Sequence, residues 1–297
     1  MVQEILVPDS VAVKNIENFL KNRFPIGYVR KLFRKNGIRL NGKRARAEDP
    51  VHAGDHVSLY IPFEKKISKI QAQPTPPARF HTIFEDQDLW VIDKPPGLAV
   101  HEGKQVPKRR SLLGLLETKH RGAGVAPGLV HRLDKDTSGI LIVAKNGHTA
   151  QAIEKAFAEG EVRKEYVCLV AGRLAPESGK IDFLLAGREG KPVQAVTRFK
   201  VTRRFSQSTL IRVTLETGRM HQIRQHCAKI GHPVVLDDRY GDFAFNKEFR
   251  RRYGLKRQFL HAATVAVPYK GRTWKWTAPL PRDLGSILTL LDAAEQR

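Results

Sequence analysis

The sequence predicts an α+β protein in two parts: a large domain built on a mixed, largely antiparallel sheet with flanking helices, and a small α/β module ahead of it. Three observations predict this. From Phe80 onward, short strand-like runs follow one another with only a few helical segments between them, the pattern of an α+β sheet. Residues 63–79, "FEKKISKIQAQPTPPAR", lose periodicity and end in prolines, so they read as a linker between a module at 10–62 and a domain at 80–297. A chain of 297 residues is also long enough for one well-buried core with a small satellite.

Within the first part, residues 21–46 contain ten Lys or Arg and no acid. The stretch "YVRKLFRKN" spaces Val29, Leu32 and Phe33 as one helical face, while Arg30, Lys31, Arg34 and Lys35 decorate the rest. Gly37 is expected to end that helix. "IRLNGK" then places Ile38 and Leu40 on one side of a short strand before an Asn-Gly turn, with Lys43 and Arg44 continuing the basic surface. A charge run is usually a solvated face. Ten bases without one counter-charge favour contact with a nucleic-acid backbone instead.

In the second part the strand-like runs are "LWVID", "ILIVAK", "EYVCLVAG", "VTRFKV" and "TLIRVTLETG". "HTAQAIEKAFAEG" reads as a helix with Ile153, Ala156 and Phe157 at helical spacing and Gly160 as its stop, and "MHQIRQHCAKIG" as a second, stopped by Gly231. The C-terminal "LGSILTLLDAAEQR" offers Leu284, Ile287, Leu288 and Leu291 as one closing face.

The balance of 52 Lys and Arg against 30 Asp and Glu gives a net charge of +22. Such a field attracts a polyanion, nucleic acid before an acidic membrane. No stretch approaches the ~20 apolar residues of a spanning helix, and "MVQEILVPDS" lacks the order of a signal peptide, so a cytoplasmic protein is expected; a monomer is expected as well. Cys168 and Cys227 form no C-x-x-C pattern, which argues against a metal site or disulfide framework. The sequence holds no P-loop, no G-x-G-x-x-G, no H-E-x-x-H and no G-x-S-x-G. His221 and His226, five apart on one expected helix, do not share a face as metal ligands would. Any reaction is therefore expected to run on side chains alone.

Three segments offer such side chains. "HRLDKDTSG" is ordinary turn chemistry before a strand, yet Asp134 follows Leu133 and precedes a buried run, where an ionised acid needs a cationic neighbour. Tyr166 in "RKEYVCLVAG" reads as a core tyrosine with its hydroxyl at an edge. "TGRMHQIRQH" is a strand-to-helix turn whose Arg219 and Arg224 read as a basic face.

Together, and in this order, "HRLDKDTSGILIVAK", "KEYVCLV" and "TGRMHQIRQH", with "DKPPGLAVHEG" before and "FLHAA" after, resemble the RluA-type family of RNA pseudouridine synthases. The likeness runs from Asp88 to Pro281. "GKPVQAVTRFKV" and "GHPVVLDDRYGDFAFNKEF" resemble its RluC branch, which modifies large-subunit ribosomal RNA. Residues 10–62, through "VRKLFRKNGIRLNGKRARAEDPVHAGDHVSLYIP", resemble an S4-type RNA-binding module.

The resemblance implies a central cleft in the sheet domain and an isomerase that detaches uracil from its ribose, turns it over and rejoins it through carbon, with neither cofactor nor metal. It implies Asp134 as the catalytic carboxylate, as nucleophile at the sugar or as base on a ribose proton. It implies Arg224 as that carboxylate's basic partner, Tyr166 as the ring stacked on the target base, and Ile223 as the apolar contact on the base's other side. Arg132 is implied as the residue that fills the space of the flipped-out uridine; a plain phosphate contact is the alternative. Phosphate contacts are expected from Arg30, Lys31, Arg34, Lys35, Lys43 and Arg44 and from the basic run "KEFRRRYGLKR". Asp136 is expected to be only a polar turn residue. The same chemistry on transfer RNA, or an RNA-binding assembly protein with an idle catalytic domain, are the competing readings.

Overall fold

The computed structural model describes residues 2–8, 15–21, 23–24, 26–60, 80–103, 106–120, 126–187 and 191–296. The expected linker at 63–79 lies outside them. The chain divides into two compact units, Met1–Thr75 and Pro76–Arg297.

In the first unit, strand β1 (Val2–Leu6) is followed by helices α1 (Ile16–Lys21) and α2 (Ile26–Arg34) and by strands β2 (Ile38–Leu40), β3 (Lys43–Arg44) and β4 (His56–Tyr60). The strands form an antiparallel sheet in the order β1-β4-β2-β3. Phe19, Leu20, Val29, Leu32, Ile38 and Val57 make its core with their neighbours. Asn41 and Gly42 both have positive φ (49° and 79°), so the β2–β3 connection is the left-handed turn that an Asn-Gly pair favours. The exit of α2 differs from expectation. Asn36, not Gly37, takes the left-handed conformation, at φ 54°. Gly37 is needed for space instead: a Cβ there would stand 2.6 Å from the Tyr60 carbonyl oxygen.

The second unit contains β5 (His81–Glu85), β6 (Leu89–Lys94), α3 (Leu112–Lys119), β7 (Gly128–Leu129), β8 (Ser138–Ala144), α4 (Gly147–Ala158), β9 (Arg163–Ala171), β10 (Ser178–Asp182), β11 (Leu185–Ala186) and β12 (Pro192–Val193). It continues with β13 (Val196–Arg204), β14 (Ser208–Leu215), α5 (Gln222–Lys229), α6 (Phe243–Tyr253), β15 (Leu260–Tyr269), β16 (Arg272–Thr277) and α7 (Arg282–Glu295). Ten strands form one sheet, ordered β10-β13-β14-β9-β15-β8-β6-β5, with β16 on β15 and β7 on β8. All pairs are antiparallel except β15 with β8, as the sequence predicts.

Strand β8 is buried along its whole length because both sheet faces are covered. Its period-2 alternation sends Leu141 and Val143 to one core with Trp90, Cys168 and Ile223, and Ile140 and Ile142 to another with Ile153 of α4. A further core joins Phe249 of α6 and Leu284, Ile287 and Leu291 of α7 to Leu169 and Phe259. Asn146 caps α4 through Thr149 N–H at 2.9 Å, and Gly160, at φ 75°, follows its end.

Gly139 does most to place the site. It pairs with Ala262 of β15, and Ala262 in turn pairs with Tyr166 of β9. Gly139 has φ 110°, and a Cβ there would stand 2.1 Å from the Ala262 carbonyl oxygen. Only glycine lets the chain leaving "HRLDKDTSG" cross onto β15 this closely. The loop carrying Asp134 is thereby delivered beside the strand carrying Tyr166.

Candidate active site

Asp134, Tyr166, Ile223 and Arg224, drawn from three separated segments, line one cleft of about 350 Å3, and Arg132 stands exposed along it. The Asp134 turn is closed by Thr137 N–H donating to the Asp134 carbonyl at 3.1 Å. It is pinned from both sides. His131 Nε2 accepts the Ile142 N–H of β8 at 2.9 Å, and its ring stacks on Phe157 of α4 with centroids 5.1 Å apart. Burial, then the neighbouring Lys164, pushes the His131 pKa down to about 3, so the ring stays neutral and its Nε2 remains an acceptor. On the other side, Lys94 is fully buried and its ammonium reaches the carbonyls of Pro95, Leu98 and Lys135 at 2.8, 3.0 and 3.0 Å. The last of these ties "DKPPG" to the residue after Asp134. Asp136 lies in the turn itself.

The Asp134 side chain is 17% exposed. Arg224 Nη1 donates to its Oδ2 at 3.0 Å. Oδ1 accepts no hydrogen bond from the described residues, and His221 Nε2 stands 3.7 Å from it. One oxygen is held and the other faces the cleft.

Arg224 is itself held from behind. Its Nε and Nη2 form a fork onto Asp237 at 2.6 and 2.8 Å, and Nη2 also reaches Asp238 at 3.1 Å. Asp237 is fully buried, and its Oδ1 also accepts the N–H groups of Arg239 and Tyr240, each at 2.9 Å. Burial raises the Asp237 pKa most strongly, but Arg224 and these two N–H groups together outweigh it and leave the carboxyl below its usual range. Burial likewise opposes the Arg224 charge, and Asp237 and Asp134 overcome it. Asn246 braces this loop, donating to the Asp237 carbonyl at 2.9 Å and accepting the Leu236 N–H at 2.7 Å. Leu236 is held at φ 59°, a conformation that costs a non-glycine residue roughly 1 kcal/mol or more.

Tyr166 is 8% exposed. Burial first, and the Asp134 charge second, raise its pKa well above the ordinary phenol value. The phenol is therefore neutral at any physiological pH, able to stack or to donate a hydrogen bond. Ile223, 4% exposed, sits in the first turn of α5, one residue before Arg224.

Sequence reasoning missed Asp237, His221 and Lys94. His221 does not belong to the helix as expected. It is the residue ahead of α5, in the left-handed conformation at φ 53°, and that kink turns its ring toward Asp134. Its Nδ1 lies 3.2 Å from the Tyr240 hydroxyl, and burial lowers its pKa against the raising effect of Asp134. The acid pair in "LDDRYGD" and the lysine of "DKPPG" were the available signals.

In the first unit, Arg34, Lys35, Lys43 and Arg44 are exposed, and none has a carboxylate partner among the described residues. Arg30 forms a surface ion pair with Glu17 at 3.0 Å. The side chain of Lys31 lies outside the description. Arg39 pairs with Arg44 across β2 and β3, and its guanidinium lies over the Tyr60 ring, 4.6 Å from the centroid.

The family model described as RNA pseudouridylate synthase matches residues 88–229. The chain is 34% identical, over 99% of its length, to the ribosomal large subunit pseudouridine synthase C of Vibrio cholerae, covering 98% of that protein. It is 33% identical, over 98% of its length, to the protein of the same name from Escherichia coli, covering 97% of it. Among solved structures, the human RNA pseudouridylate synthase domain containing 4 superposes with a TM-score of 0.61 at 25% identity, over 71% of this chain and 92% of that one.

Proposed function

The chain belongs to the RNA pseudouridylate synthase family, and from that premise we propose that it converts uridines of large-subunit (23S) ribosomal RNA to pseudouridine, with Asp134 as the catalytic carboxylate. One observation carries the assignment of the site: a half-buried carboxylate with one oxygen fixed by Arg224 and the other open to a cleft walled by Tyr166 and Ile223.

Breaking the bond between uracil and ribose develops positive charge at the sugar carbon. Asp134 Oδ1 is the group placed to meet that charge, by bonding to the carbon or by taking a ribose proton. Arg224 holds the carboxylate in place through a charged hydrogen bond to Oδ2. Its own charge is offset by Asp237, so the anionic character of Asp134 is not cancelled. A hydrolase would need a second carboxylate to deliver water. Here the freed uracil must stay in the cleft and turn over, which suits apolar walls: Tyr166 on one face, Ile223 on the other. Stacking without a fixed hydrogen-bond code permits that rotation.

Reaching the cleft requires the uridine to leave its stack. Arg132, exposed at the cleft, is the side chain we assign to the vacated space. The small N-terminal unit, S4-like in our reading, supplies backbone contacts through Arg34, Lys35, Lys43 and Arg44, and the enzyme is read as a cytoplasmic monomer. The test is Asp134→Asn. Its RNA affinity is expected to persist while pseudouridine formation on ribosomal RNA falls below detection; retained turnover refutes the assignment. Mapping pseudouridines in total RNA from cells with and without the protein tests the substrate, and unchanged large-subunit RNA refutes it.

A further inference from the structure

Among the described residues of the second unit, four Lys or Arg side chains are buried, and three have obvious partners. Arg224 has its carboxylates, Arg257 forks onto Asp283 at 2.7 and 3.0 Å, and Lys94 has its three carbonyls. Lys164 is the exception. It is 9% exposed, and among the described residues it makes no hydrogen bond and meets no carboxylate. Its Nζ lies 5.1 Å from the centre of the Phe157 ring. Glu165, its neighbour in β9, alternates to the other face, where it meets Arg212 at 3.7 Å.

Lys164 lines the same cleft as Asp134 and Tyr166. It shares a sheet face with Tyr166 two residues on, about 7 Å along the strand. Across from its ammonium is Gly218, where a Cβ would stand 3.3 Å from Nζ, so the missing side chain keeps that space clear. Burial lowers the Lys164 pKa to about 8, as expected for an ammonium at the wall of a cleft with reduced access to water and no carboxylate beside it. Proteins rarely leave such a group unpaired unless a ligand pairs it.

We propose that Lys164 is the phosphate site of the cleft, receiving a phosphate flanking the target uridine when that nucleotide enters. The inference rests on the reading that a uridine of RNA occupies this cleft. A backbone phosphate carries a full negative charge from the moment the nucleotide enters, whereas uracil is neutral when it enters and acquires charge only once its bond to the ribose is breaking, so phosphate is the partner that can compensate the ammonium in the bound state. With the base on Tyr166 and the ribose at Asp134, Lys164 lies one nucleotide's breadth along β9 from the ring, where the sugar–phosphate chain must pass.

The experiment pairs protein and RNA substitutions. On a ribosomal RNA fragment that the wild-type enzyme modifies, methylphosphonate is placed singly at the 5′ or 3′ phosphate of the target uridine. One of the two linkages is expected to lower wild-type kcat/KM about 10- to 100-fold, as for loss of one charged hydrogen bond. Lys164→Met should lose a similar factor on unmodified RNA and be insensitive to methylphosphonate at that same linkage, while Lys164→Arg keeps most of the activity. Lys164→Met should also melt no lower than wild type, because it removes an unpaired buried charge. A wild-type enzyme indifferent to both methylphosphonates overturns the proposal whatever the variants do. So does a Lys164→Met enzyme that remains as sensitive as wild type at both linkages. Absence of wild-type turnover on any ribosomal RNA uridine would instead refute the proposed function, a distinct outcome.

Discussion

Asp237→Asn tests whether Asp134, the proposed catalytic carboxylate, is organised from behind. The amide preserves the shape of a fully buried side chain but cannot satisfy every donor. Oδ1 serves Arg224 Nη2 and the N–H groups of Arg239 and Tyr240, and Oδ2 serves Arg224 Nε. With the amide oxygen placed at the first site, its NH2 opposes the guanidinium Nε, donor against donor. Removing the charge of one partner in a buried pair costs about 3–5 kcal/mol, which for a domain of this size lowers the melting temperature by roughly 6–20 °C. Arg224, released from its fork, no longer fixes Asp134 Oδ2, and misplacement by an ångström costs on the order of 100-fold in kcat. KM is expected to change far less, since the cleft walls are intact. The pH dependence of stability gives a second readout. Asp237 titrates below its ordinary value in the folded chain, so its stabilisation is present above the unfolded carboxylate pKa of about 3.9 and is lost as pH falls through the lower folded value. The asparagine variant should lack that acid-sensitive component. A variant with kcat within about threefold of wild type and an unchanged melting temperature would refute the reasoning, because the fork would then be neither stabilising nor orienting.

Gly139→Ala should be among the most damaging single-methyl additions in the chain. Its Cβ would fall 2.1 Å from a backbone oxygen of β15 at a φ of 110°, so soluble yield and melting temperature should collapse; a variant melting within a few degrees of wild type would show that β8 and β15 can separate without cost. In the small unit, the double change Arg34→Glu with Lys35→Glu alters only exposed side chains and should leave the melting temperature unchanged. If both contact phosphates, the slope of log affinity against log salt becomes shallower by about 1.4–1.8, read by anisotropy with labelled ribosomal RNA; an unchanged slope places RNA elsewhere.

The fold was legible in the sequence wherever periodicity is local. The strand runs "LWVID" and "ILIVAK", the helix ended by Gly160 and the Asn-Gly hairpin all appear where the pattern puts them, because each is decided by neighbours within a few residues. Helix α6 was read only as a basic run. Its apolar face, Phe245, Phe249 and Tyr253, repeats every fourth residue, but Lys247, Arg250, Arg251 and Arg252 crowd the intervening positions and hide the period. Asp134, Tyr166 and Arg224 are singled out by a family resemblance that three motifs carry together; that they line one cleft depends on strand register, which no single segment encodes.

The residues that sequence reasoning missed share a physical cause. Asp237 lies in a loop with no hydrophobic period, and nothing local distinguishes it from Asp238, yet one is fully buried and the other 82% exposed at the side chain. Burial separates them, and burial there follows from Leu236 being forced to φ 59° and Asn246 reaching back from α6. His221 carried a helical pattern, and a single left-handed residue removed it from the helix. Lys164, the proposed phosphate site, lies in a strand among charged neighbours, a pattern that locally reads as solvated. Each acquires its chemistry from a non-local event: a loop pinned by another helix, a kink at a helix start, a strand face closed by its neighbours. Such events occur where the sheet brings Gly139, Ala262 and Tyr166 into one row, so the glycine that ends "HRLDKDTSG" is what turns an ordinary polar turn into a wall of the cleft.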